Sequence, residues 1–471
     1  MSAAAPRVLV VGGGVAGLAA ARELARAGVA QVVLLEAEQR FGGKVMTAQV
    51  AGHSIDVGAE AMVTRVPGLL ELIDELGLAG RVVSPRVDRA MIWTDRLRPL
   101  PAGLLSGLPG GPRELLASGI LSPAAVARAG LDLVMPAHPL EGDESIGSLV
   151  RRRLGDQVLE RLIDPLLGGI HAGDTEDLGV RATAPMLAMA MQRGGGLIRG
   201  LRRLAAAAPA PSGPMFASFD GGLEVIVDAL RGELDGVECR TTAPVTRVHA
   251  DADGSLLATL EDGSQLAADR VILATPAYSA AEIVDHDAPQ LASELRSINY
   301  ASVATVVLAY PRSAAAQLPD ASGFLVERGR GRTITACTFS SAKWGTPADE
   351  TILLKCSVGY SRNEAALALH EDQLVAAVRA DLELAFGLRA EPLEHAVFRF
   401  PRAMAQYAVG HNERVARIEQ LLGAIPGLSL CGAAYHGAGV GACIRDGAST
   451  ADSVLAALSG DAHSAEQLSP N

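Results

Sequence analysis

The feature that most constrains the fold is a glycine-rich segment near the start of the chain. An apolar run over 8–11 is followed by Gly12, Gly14 and Gly17 at GxGxxG spacing, then by an Ala- and Leu-rich helical pattern and a second apolar run over 32–35. This order predicts a β-strand, a tight turn, a helix and a second β-strand. The sequence therefore predicts an α/β protein with a Rossmann-like nucleotide-binding domain.

Each glycine of this turn has a mechanical task. The first permits the turn, the second lets a pyrophosphate touch the backbone, and the third lets helix and strand pack closely. The helix N-terminus then offers free N–H groups and its positive dipole end to the phosphates. Glu36 ends the second strand nineteen residues after Gly17, where a carboxylate accepts hydrogen bonds from an adenosine ribose. A dinucleotide site is predicted, and the alternative is a turn that serves packing alone.

The residues after the second strand distinguish between dinucleotides. Glu36, Arg40, Gly42 and Gly43 form the pattern E-x3-R-x-G-G. This pattern resembles the FAD-binding signature of the amine oxidase and protoporphyrinogen oxidase superfamily, and a simple NAD dehydrogenase does not need it. The resemblance implies FAD as the cofactor.

Composition sets outer limits on the function. A chain of 471 residues is too long for one compact core, so two or three domains are expected. The net charge of −12 argues against a general nucleic-acid binder, although a pocket can still focus a few arginines on a small anion. The five cysteines are scattered and form no C-x-x-C pair, which predicts neither structural zinc nor a disulfide framework. A reducing cytoplasm fits this pattern, and no secretory signal is expected because the N-terminus passes straight into the first strand.

The region over 99–136 is rich in Leu, Ala, Gly and Pro. Its charge-free runs reach only fourteen and thirteen residues and are interrupted by helix breakers. Neither run can span a bilayer as an uninterrupted helix. Packing of short helices is favoured here over contact with a membrane surface, because the basic flank is weak.

A more specific resemblance begins after residue 145. A helix capped by Ser145 is predicted over 146–163, followed by a glycine-punctuated loop over 164–174. This loop, DPLLGGIHAGD, resembles the porphyrinogen oxidase motif usually written EPLLSGIYAGD, with Asp164 in place of Glu and His171 in place of Tyr. A single histidine in a loop is ordinarily a hydrogen-bonding residue, so His171 is not assigned a catalytic role.

Three later segments carry the same resemblance. TACTFSSAKW, over 335–344, is similar to the family's substrate domain. FPRAMAQYAVGH, over 400–411, is similar to W-x-x-A-M-P-Q-Y-x-x-G-H, from which Phe400 and Ala405 depart. LCGAAYHGAGVGACIRDGASTAD, over 430–452, predicts a strand, a second glycine-rich turn and a helix whose positive end faces the flavin.

These patterns give an α/β architecture, α+β overall, with three structural regions. The Rossmann-like FAD-binding domain is expected to be discontinuous, with the strand at 270–274 returning to it. A substrate domain is expected around an antiparallel sheet formed by the β-patterned runs 300–310, 334–340 and 351–360. The third region is a helical subdomain of the membrane-binding type. The expected boundaries are 1–55, 214–290 and 410–460 for the FAD domain, 56–90 and 291–409 for the substrate domain, 91–208 for the helical subdomain, and 461–471 for a flexible tail.

The resemblance is closest to the bacterial protoporphyrinogen and coproporphyrinogen III oxidases of haem synthesis. It implies that FAD removes six electrons from coproporphyrinogen III in three rounds, and that O2 accepts each pair as H2O2. The protein need only place a methylene-bridge carbon over the flavin and exclude water, so neither a Ser/His/Asp triad nor a metal is expected. Three alternatives stay open: a protoporphyrinogen IX oxidase, another amine oxidase or desaturase of the superfamily, and a flavin-bound scaffold without turnover.

The expected site residues follow from these motifs. Coproporphyrinogen has four propionates and protoporphyrinogen two, so the former needs more cations at the pocket rim. Arg89 matches the arginine that pairs with a propionate in the family. The expected substrate contacts are Arg89, Arg65, Gly169 and Gly173. The expected FAD contacts are Gly12, Gly14, Val15, Ala16, Gly17, Glu36, Ala37, Arg40, Gly42, Gly43, Lys44, Gly58, Ala59, Val245, Ala274, Gly432, Gly439 and Val440.

The expected partners are the anionic porphyrinogen and O2, with no nucleic acid. The expected location is the cytoplasm. Peripheral contact with the inner face of the cell membrane and a transient contact with a ferrochelatase are left open, as is the oligomeric state.

Overall fold

The computed structural model describes most of the chain. The backbone is described over residues 5–101, 104–105, 108–109, 112–136, 138–208, 213–251, 254–345 and 351–468. Side chains are described for the same residues except 104–105, 108–109, 112, 114 and 461–468.

The elements alternate along the chain. The strands of the described residues are β1 (Arg7–Val11), β2 (Gln31–Leu35), β3 (Thr47–Val50), β4 (His53–Asp56), β5 (Met62–Val63), β6 (Val82–Val83), β7 (Ala90–Trp93), β8 (Leu97–Pro99), β9 (Leu104–Leu105), β10 (Leu108–Pro109), β11 (Phe216–Phe219), β12 (Glu238–Arg240), β13 (Val245–Ala250), β14 (Leu256–Leu260), β15 (Gln265–Ala268), β16 (Arg270–Leu273), β17 (Tyr300–Pro311), β18 (Gly323–Val326), β19 (Ile334–Phe339), β20 (Thr351–Val358), β21 (Glu394–Ala405) and β22 (Leu428–Leu430). The α-helices are α1 (Val15–Ala27), α2 (Leu69–Glu75), α3 (Pro112–Ser118), α4 (Pro123–Gly130), α5 (Ile146–Leu154), α6 (Asp156–Val158), α7 (Gly169–His171), α8 (Val180–Thr183), α9 (Pro185–Gln192), α10 (Leu197–Ala207), α11 (Glu224–Gly232), α12 (Ala277–Val284), α13 (Pro289–Arg296), α14 (Ser340–Trp344), α15 (Glu371–Phe386), α16 (His411–Leu422) and α17 (Val440–Leu468).

A five-stranded parallel sheet joins remote parts of the chain. Its order is β12-β2-β1-β16-β22, so the first strand lies between the second strand and a strand from the middle of the chain. Side chains alternate between the two faces of β1: Val8 and Val10 lie in one apolar core, and Leu9 and Val11 lie in another. The predicted strand–turn–helix–strand unit and the return of 270–274 to this sheet are confirmed.

Two helices cover one face of this sheet and meet at their backbones. A Cβ atom on Gly447 of α17 would lie only 2.0 Å from the carbonyl oxygen of Ala16 in α1. A residue with a side chain at this position would separate the helices, because a backbone carbonyl cannot rotate away as a side chain can. The two ends of the chain therefore pack together through a glycine.

A seven-stranded sheet, separate from the parallel sheet, forms the second large sheet of the fold. Its order is β21-β17-β20-β19-β18-β7-β8, and its neighbouring strands are antiparallel except for the pair β18 and β7. The predicted antiparallel pairing of β17, β19 and β20 is confirmed. Helix α15 contributes Leu374, Val378 and Leu382 to the apolar core on one side of this sheet.

The helical region between 112 and 207 has a core of its own. Ser145 caps α5 as predicted, because its Oγ accepts a hydrogen bond from Ser148 N at 3.1 Å. The predicted single helix over 146–163 is instead interrupted at Gly155, which has a φ of 93°.

The predicted loop over 164–174 is largely wrong. Residues Leu159–Gly168 form a wide π-helix and Gly169–His171 continue as α-helix. The wide turn accommodates Pro165, which has no N–H to donate. Leu162 and Ile163 are fully buried in the helical core, so packing favours a helix despite the glycines that follow.

The structure places three segments differently from the predicted domain boundaries. Strands β5 and β6 pair with β11, and Leu69 and Ile73 of α2 lie in the core beneath α1, so part of 56–90 packs with the nucleotide-binding core. Strands β7 and β8 belong to the seven-stranded sheet, although 91–208 was expected to be helical. Helix α17 extends through Leu468, whereas a flexible tail was expected from 461; residues 469–471 lie outside the described residues.

Candidate functional site

The first glycine turn is set by steric limits on two sides. Gly12 has a φ of 105°, and a Cβ there would lie 2.8 Å from the carbonyl oxygen of Ala274. A Cβ on Gly17 would lie 1.9 Å from the carbonyl oxygen of Gly12. By contrast, a Cβ on Gly14 would meet no atom within 4 Å. Gly12 and Gly17 thus serve turn and packing, and the open space at Gly14 suits its predicted contact with a pyrophosphate.

The start of α1 is built to receive an anion. No side chain caps this helix end, and its first turn contains no acidic residue. Val15 and Ala16, the first helical residues, are buried. The N–H groups of this turn are therefore left without a side-chain acceptor, and the positive dipole end faces the glycine turn.

Glu36 closes the first turn with its own carboxylate. Its Oε2 accepts a hydrogen bond from Gly13 N at 2.6 Å, and its Oε1 accepts one from Glu38 N at 2.9 Å. Ala37, beside it, is exposed. Ala243 N donates to the carbonyl oxygen of Glu36 at 2.9 Å. Ala243 therefore lies beside Glu36, and strand β13 begins two residues later, at Val245. A carboxylate oxygen has further lone pairs, so Glu36 is able to accept a ribose hydroxyl as well.

A second glycine turn packs directly on the first. Gly42 N donates to the carbonyl oxygen of Gly13 at 2.8 Å. The guanidinium of Arg40 donates to the carbonyl oxygen of Gly43 at 2.5 Å and lies 3.4 Å from the carboxylate of Glu224. Arg40 therefore braces the second turn, and its expected contact with FAD stays a prediction.

Lys44 lies where three of the expected flavin-contacting segments converge. Its carbonyl oxygen accepts a hydrogen bond from Ala59 N at 3.1 Å, and a Cβ on Gly58 would lie 2.1 Å from that oxygen. Its ammonium lies 5.6 Å from the ring centre of Tyr300. Burial lowers the pKa of Lys44, and the nearby Cys443 in the first turn of α17 opposes this effect weakly. Within the described part of the chain, no carboxylate forms an ion pair with Lys44.

The C-terminal glycine turn completes the convergence. Ala274 N donates to the carbonyl oxygen of Val11 at 2.7 Å, at the end of the parallel sheet. Gly432 has a φ of 120°, and a Cβ there would meet nothing closer than 3.9 Å. A Cβ on Gly439 would meet nothing within 4 Å, and α17 begins at the next residue, Val440. Open space and a helix N-terminus thus occur together at both glycine-rich turns.

A buried charge cluster supports this site from the side of the seven-stranded sheet. The carboxylate of Glu60 accepts hydrogen bonds from Lys343 Nζ at 2.9 Å and Trp344 Nε1 at 2.8 Å, and it lies 3.4 Å from Lys355 Nζ. Lys355 also donates to the carbonyl oxygen of Gly58 at 3.1 Å. Burial alone would raise the pKa of Glu60, but the two ammonium groups and the hydrogen bonds outweigh it and lower the pKa to about 2. Sequence reasoning missed this cluster, although Lys355 is the one charged residue of the strand TILLKCSV.

The two expected substrate arginines lie apart from this cluster. Arg89, just before β7, is 66% exposed and pairs at 2.6 Å with Asp320, which is 77% exposed. Arg65 is exposed and lies just before α2. Its neighbour Val66 packs against Gly441 at the start of α17. Both arginines are therefore accessible to an anion.

The two expected substrate glycines differ in how much room surrounds them. A Cβ on Gly173 would lie 2.6 Å from Oε1 of Gln406, whereas a Cβ on Gly169 would make an ordinary contact of 3.7 Å with Leu325. Gln406 Nε2 donates to the carbonyl oxygen of His171 at 3.0 Å. Burial lowers the pKa of the His171 ring. Gly173 thus allows Gln406 to reach the turn after α7.

The described side chains include no group of three or more His, Cys, Asp or Glu placed to hold a metal ion.

Comparison with known proteins agrees with this geometry. A family model described as flavin containing amine oxidoreductase matches residues 15–455. The coproporphyrinogen III oxidase of Mycobacterium tuberculosis is 36% identical over 95% of this chain and 97% of its own length. The coproporphyrinogen III oxidase of Bacillus subtilis is 31% identical over 97% of this chain and 100% of its own length. A crystal structure of a candidate protoporphyrinogen oxidase from Exiguobacterium sp. 255-15 has a TM-score of 0.86 and 31% identity, covering 96% of this chain and 99% of that one.

The buried cluster predicts an acid-sensitive contribution to stability. Because the folded-state pKa of Glu60 is about 2 and its ordinary value is 4.5, this contribution is present above pH 4.5 and is lost as the pH falls from 4.5 towards 2. The substitution Glu60→Gln leaves Lys355, which is only 7% exposed, without its charge partner. We expect it to lower the free energy of unfolding at pH 7 by about 3 kcal/mol in urea titrations and to flatten the pH dependence below 4.5.

The matched control is Glu383→Gln, which removes an exposed carboxylate that pairs with the exposed Arg389. Its effect should stay within about 0.5 kcal/mol, because water already solvates both charges. Equal effects of the two substitutions would show that the cluster around Glu60 does not act as a buried ion network.

Proposed function

The chain belongs to the flavin containing amine oxidoreductase family, and from this premise we propose that it oxidises coproporphyrinogen III to coproporphyrin III. Its cofactor is FAD. The observation that carries the proposal is similarity over almost the whole chain to coproporphyrinogen III oxidases from separate bacterial genera. That similarity includes the parts of the chain outside the nucleotide-binding sheet, where a substrate would be recognised.

The residues present suit FAD. In this proposal the open space at Gly14 and the uncapped end of α1 receive the pyrophosphate, and Glu36 receives the ribose. Lys44, a desolvated cation without an ion-pair partner in the described residues, lies beside the first turn of α17 and suits the ring end, which gains negative charge on reduction. The other FAD contacts that the sequence predicts stay predictions.

When bound, FAD supplies the acceptor for each pair of electrons and passes that pair to O2, giving H2O2. The side chains then have to bind, orient and shield the substrate. Glu60 and Lys355 hold the turn at Gly58, and Arg40 holds the turn at Gly43. No side chain is proposed as a catalytic acid or base.

The proposed location is the cytoplasm, with peripheral contact at the inner face of the cell membrane. None of the helices in the described residues is both long and apolar enough to cross a bilayer. Residues 178–219 contain five arginines and no acidic residue, in a chain whose net charge is −12. Met186 and Met189 on α9 are 40% and 42% exposed. Arginines close in sequence to exposed apolar side chains suit contact with anionic lipid headgroups.

A transient contact with a ferrochelatase also stays a prediction, and chemical cross-linking of the two purified proteins would test it.

The substrate is tested with purified protein loaded with FAD. We expect coproporphyrinogen III to be oxidised with a kcat/KM at least about tenfold above that for protoporphyrinogen IX, because two further propionates give two further charge contacts. Porphyrin fluorescence and an oxygen electrode together should show about three O2 consumed per porphyrin, as six electrons in pairs require. A preference for protoporphyrinogen IX would favour that alternative substrate, and flavin without porphyrin formation would refute the oxidase assignment.

Arg89 is expected to attract a substrate propionate at the rim. The substitution Arg89→Ala should raise KM for coproporphyrinogen III about threefold, a modest effect because the side chain is largely exposed. Asp320→Asn should lower KM, since it frees Arg89 from its present partner. Both effects should shrink at high salt. Steady-state kinetics in which neither substitution changes KM would remove Arg89 from the substrate site.

Membrane contact is tested by sedimentation with anionic phospholipid vesicles. The double substitution Met186→Ser and Met189→Ser should reduce the bound fraction several-fold, because apolar contact area is lost. The control is Leu393→Ser, which removes a side chain that is 63% exposed elsewhere on the surface. Equal binding of all three proteins, or no binding to vesicles, would contradict this contact.

A further inference from the structure

The loop between β22 and α17, residues 431–439, has an irregular backbone that needs support from outside. Gly432 and Gly437 have φ values of 120° and 132°, so the loop cannot form the hydrogen-bond ladder of a helix or strand. Its buried backbone groups must therefore find partners outside such a ladder, among side chains or other backbone groups. This segment, called here the C-terminal loop, contains Gly432 and Gly439, which are expected to contact FAD.

Tyr407 supplies two of these partners with a single hydroxyl group. Its Oη donates to the carbonyl oxygen of Ala433 at 2.9 Å and accepts from Gly437 N at 2.9 Å. The two bonds therefore hold residues 433 and 437, four positions apart in the C-terminal loop, to one oxygen atom. Burial raises the pKa of Tyr407, so the phenol keeps the proton that it donates. Tyr407 is 4% exposed, and water therefore cannot easily replace either bond.

The position of Tyr407 is itself fixed. Its ring stacks on the His411 ring with centres 4.0 Å apart and planes 11° apart. Its carbonyl oxygen accepts a hydrogen bond from Gly179 N at 2.8 Å. The preceding residue, Gln406, bonds the carbonyl oxygen of His171. Tyr407 is thus attached to the helical region through its backbone and to the C-terminal loop through its phenol.

The opposite side of the C-terminal loop is held by an acidic residue of α17. Asp446 accepts a hydrogen bond from Gly432 N at 2.7 Å and contacts His436 Nδ1 at 2.8 Å. Asp446 belongs to the helix that follows the loop, whereas Tyr407 belongs to a segment more than twenty residues earlier. Tyr407 therefore ties the loop to an earlier part of the fold at two points, Ala433 and Gly437. His411 Nε2, 3.4 Å from the carbonyl oxygen of Tyr435, and Glu419, 3.2 Å from His436 Nε2, make single contacts with the same loop.

We propose that Tyr407 is a positioning residue for the cofactor, which holds the C-terminal loop in the shape that binds FAD. The residue acts through Ala433 and Gly437 and does not take part in the redox step. The proposal rests on the FAD site and does not depend on which porphyrinogen is the substrate. Its test uses flavin readouts, so a failed substrate assignment and a failed role for Tyr407 give different results.

The test compares two substitutions that each remove one buried hydroxyl group. Tyr407→Phe removes both loop contacts and retains the ring that stacks on His411. The control is Tyr310→Phe, because Tyr310 is 1% exposed, lies in the core of the seven-stranded sheet and interacts with Arg379. Both variants should show a similar drop in the thermal unfolding midpoint of the apoprotein.

The flavin measurements should separate the two variants. For Tyr407→Phe we expect the dissociation constant for FAD to rise about tenfold and the visible absorption bands of the bound flavin to shift. In turnover with the porphyrinogen, kcat should fall while KM stays unchanged. For Tyr310→Phe we expect the affinity for FAD and the flavin spectrum to equal those of the unsubstituted protein.

Two results would overturn the proposal. One is an unchanged dissociation constant and spectrum in Tyr407→Phe, and the other is an equal loss of FAD affinity in Tyr310→Phe, which would indicate general destabilisation. A second measurement needs no variant: hydrogen exchange in the unsubstituted FAD-loaded protein should show a strongly protected amide at Gly437. Rapid exchange there would also refute the role of Tyr407.

Discussion

The architecture depends on a direct approach of two helix backbones, at Gly447 of α17 and Ala16 of α1. These residues lie more than four hundred positions apart, and yet both helices begin at glycine turns at the edge of the same parallel sheet. The short distance between the helices brings both N-termini to one place. A bulkier residue at the crossing would move one positive helix end away from the other, so close helix packing sets the geometry of the proposed anion-binding site.

The cations near the two glycine turns are paired with carboxylates, with Lys44 as the exception among the described residues. Two lysines, Lys343 of α14 and Lys355 of β20, share the carboxylate of Glu60, and Arg40 pairs with Glu224. Lys44 differs because it is desolvated without an ion-pair partner among the described residues. An unpaired buried cation costs free energy, and such a cost is retained where a ligand supplies the opposite charge. The neighbouring cations are thus paired, and Lys44 is the cation proposed to meet the anionic cofactor.

The glycine turns and the parallel strands could be read from the sequence because their causes are local. GxGxxG spacing between two apolar runs specifies a turn that few other structures need, and the alternating or continuous apolar runs of β17, β19 and β20 specify strands of a sheet. The segment over 164–171 could not be read in this way. Its glycines and Pro165 predict a loop, whereas burial of Leu162 and Ile163 against other helices stabilises a wide helix. Long-range packing overrides local preference there.

The side-chain partners at the site were the least predictable part. Arg40 was expected beside the cofactor because of its position in a motif, and the structure shows it bonded to the carbonyl oxygens of its own turn. Glu60 and Lys355 are nearly three hundred residues apart, so only the fold reveals their contact. The one local signal was a charged residue within an apolar strand, which indicates a buried partner without identifying it.

The segment around Gln406 and Tyr407 shows how the expected substrate and cofactor sites are joined. The side chains of these successive residues reach different neighbours: Gln406 contacts the turn at His171 and Gly173, and Tyr407 contacts the C-terminal loop. The distance between these two neighbours is therefore set by one dipeptide. A reaction that needs only correct placement of a substrate carbon over a flavin depends on such distances more than on a catalytic side chain.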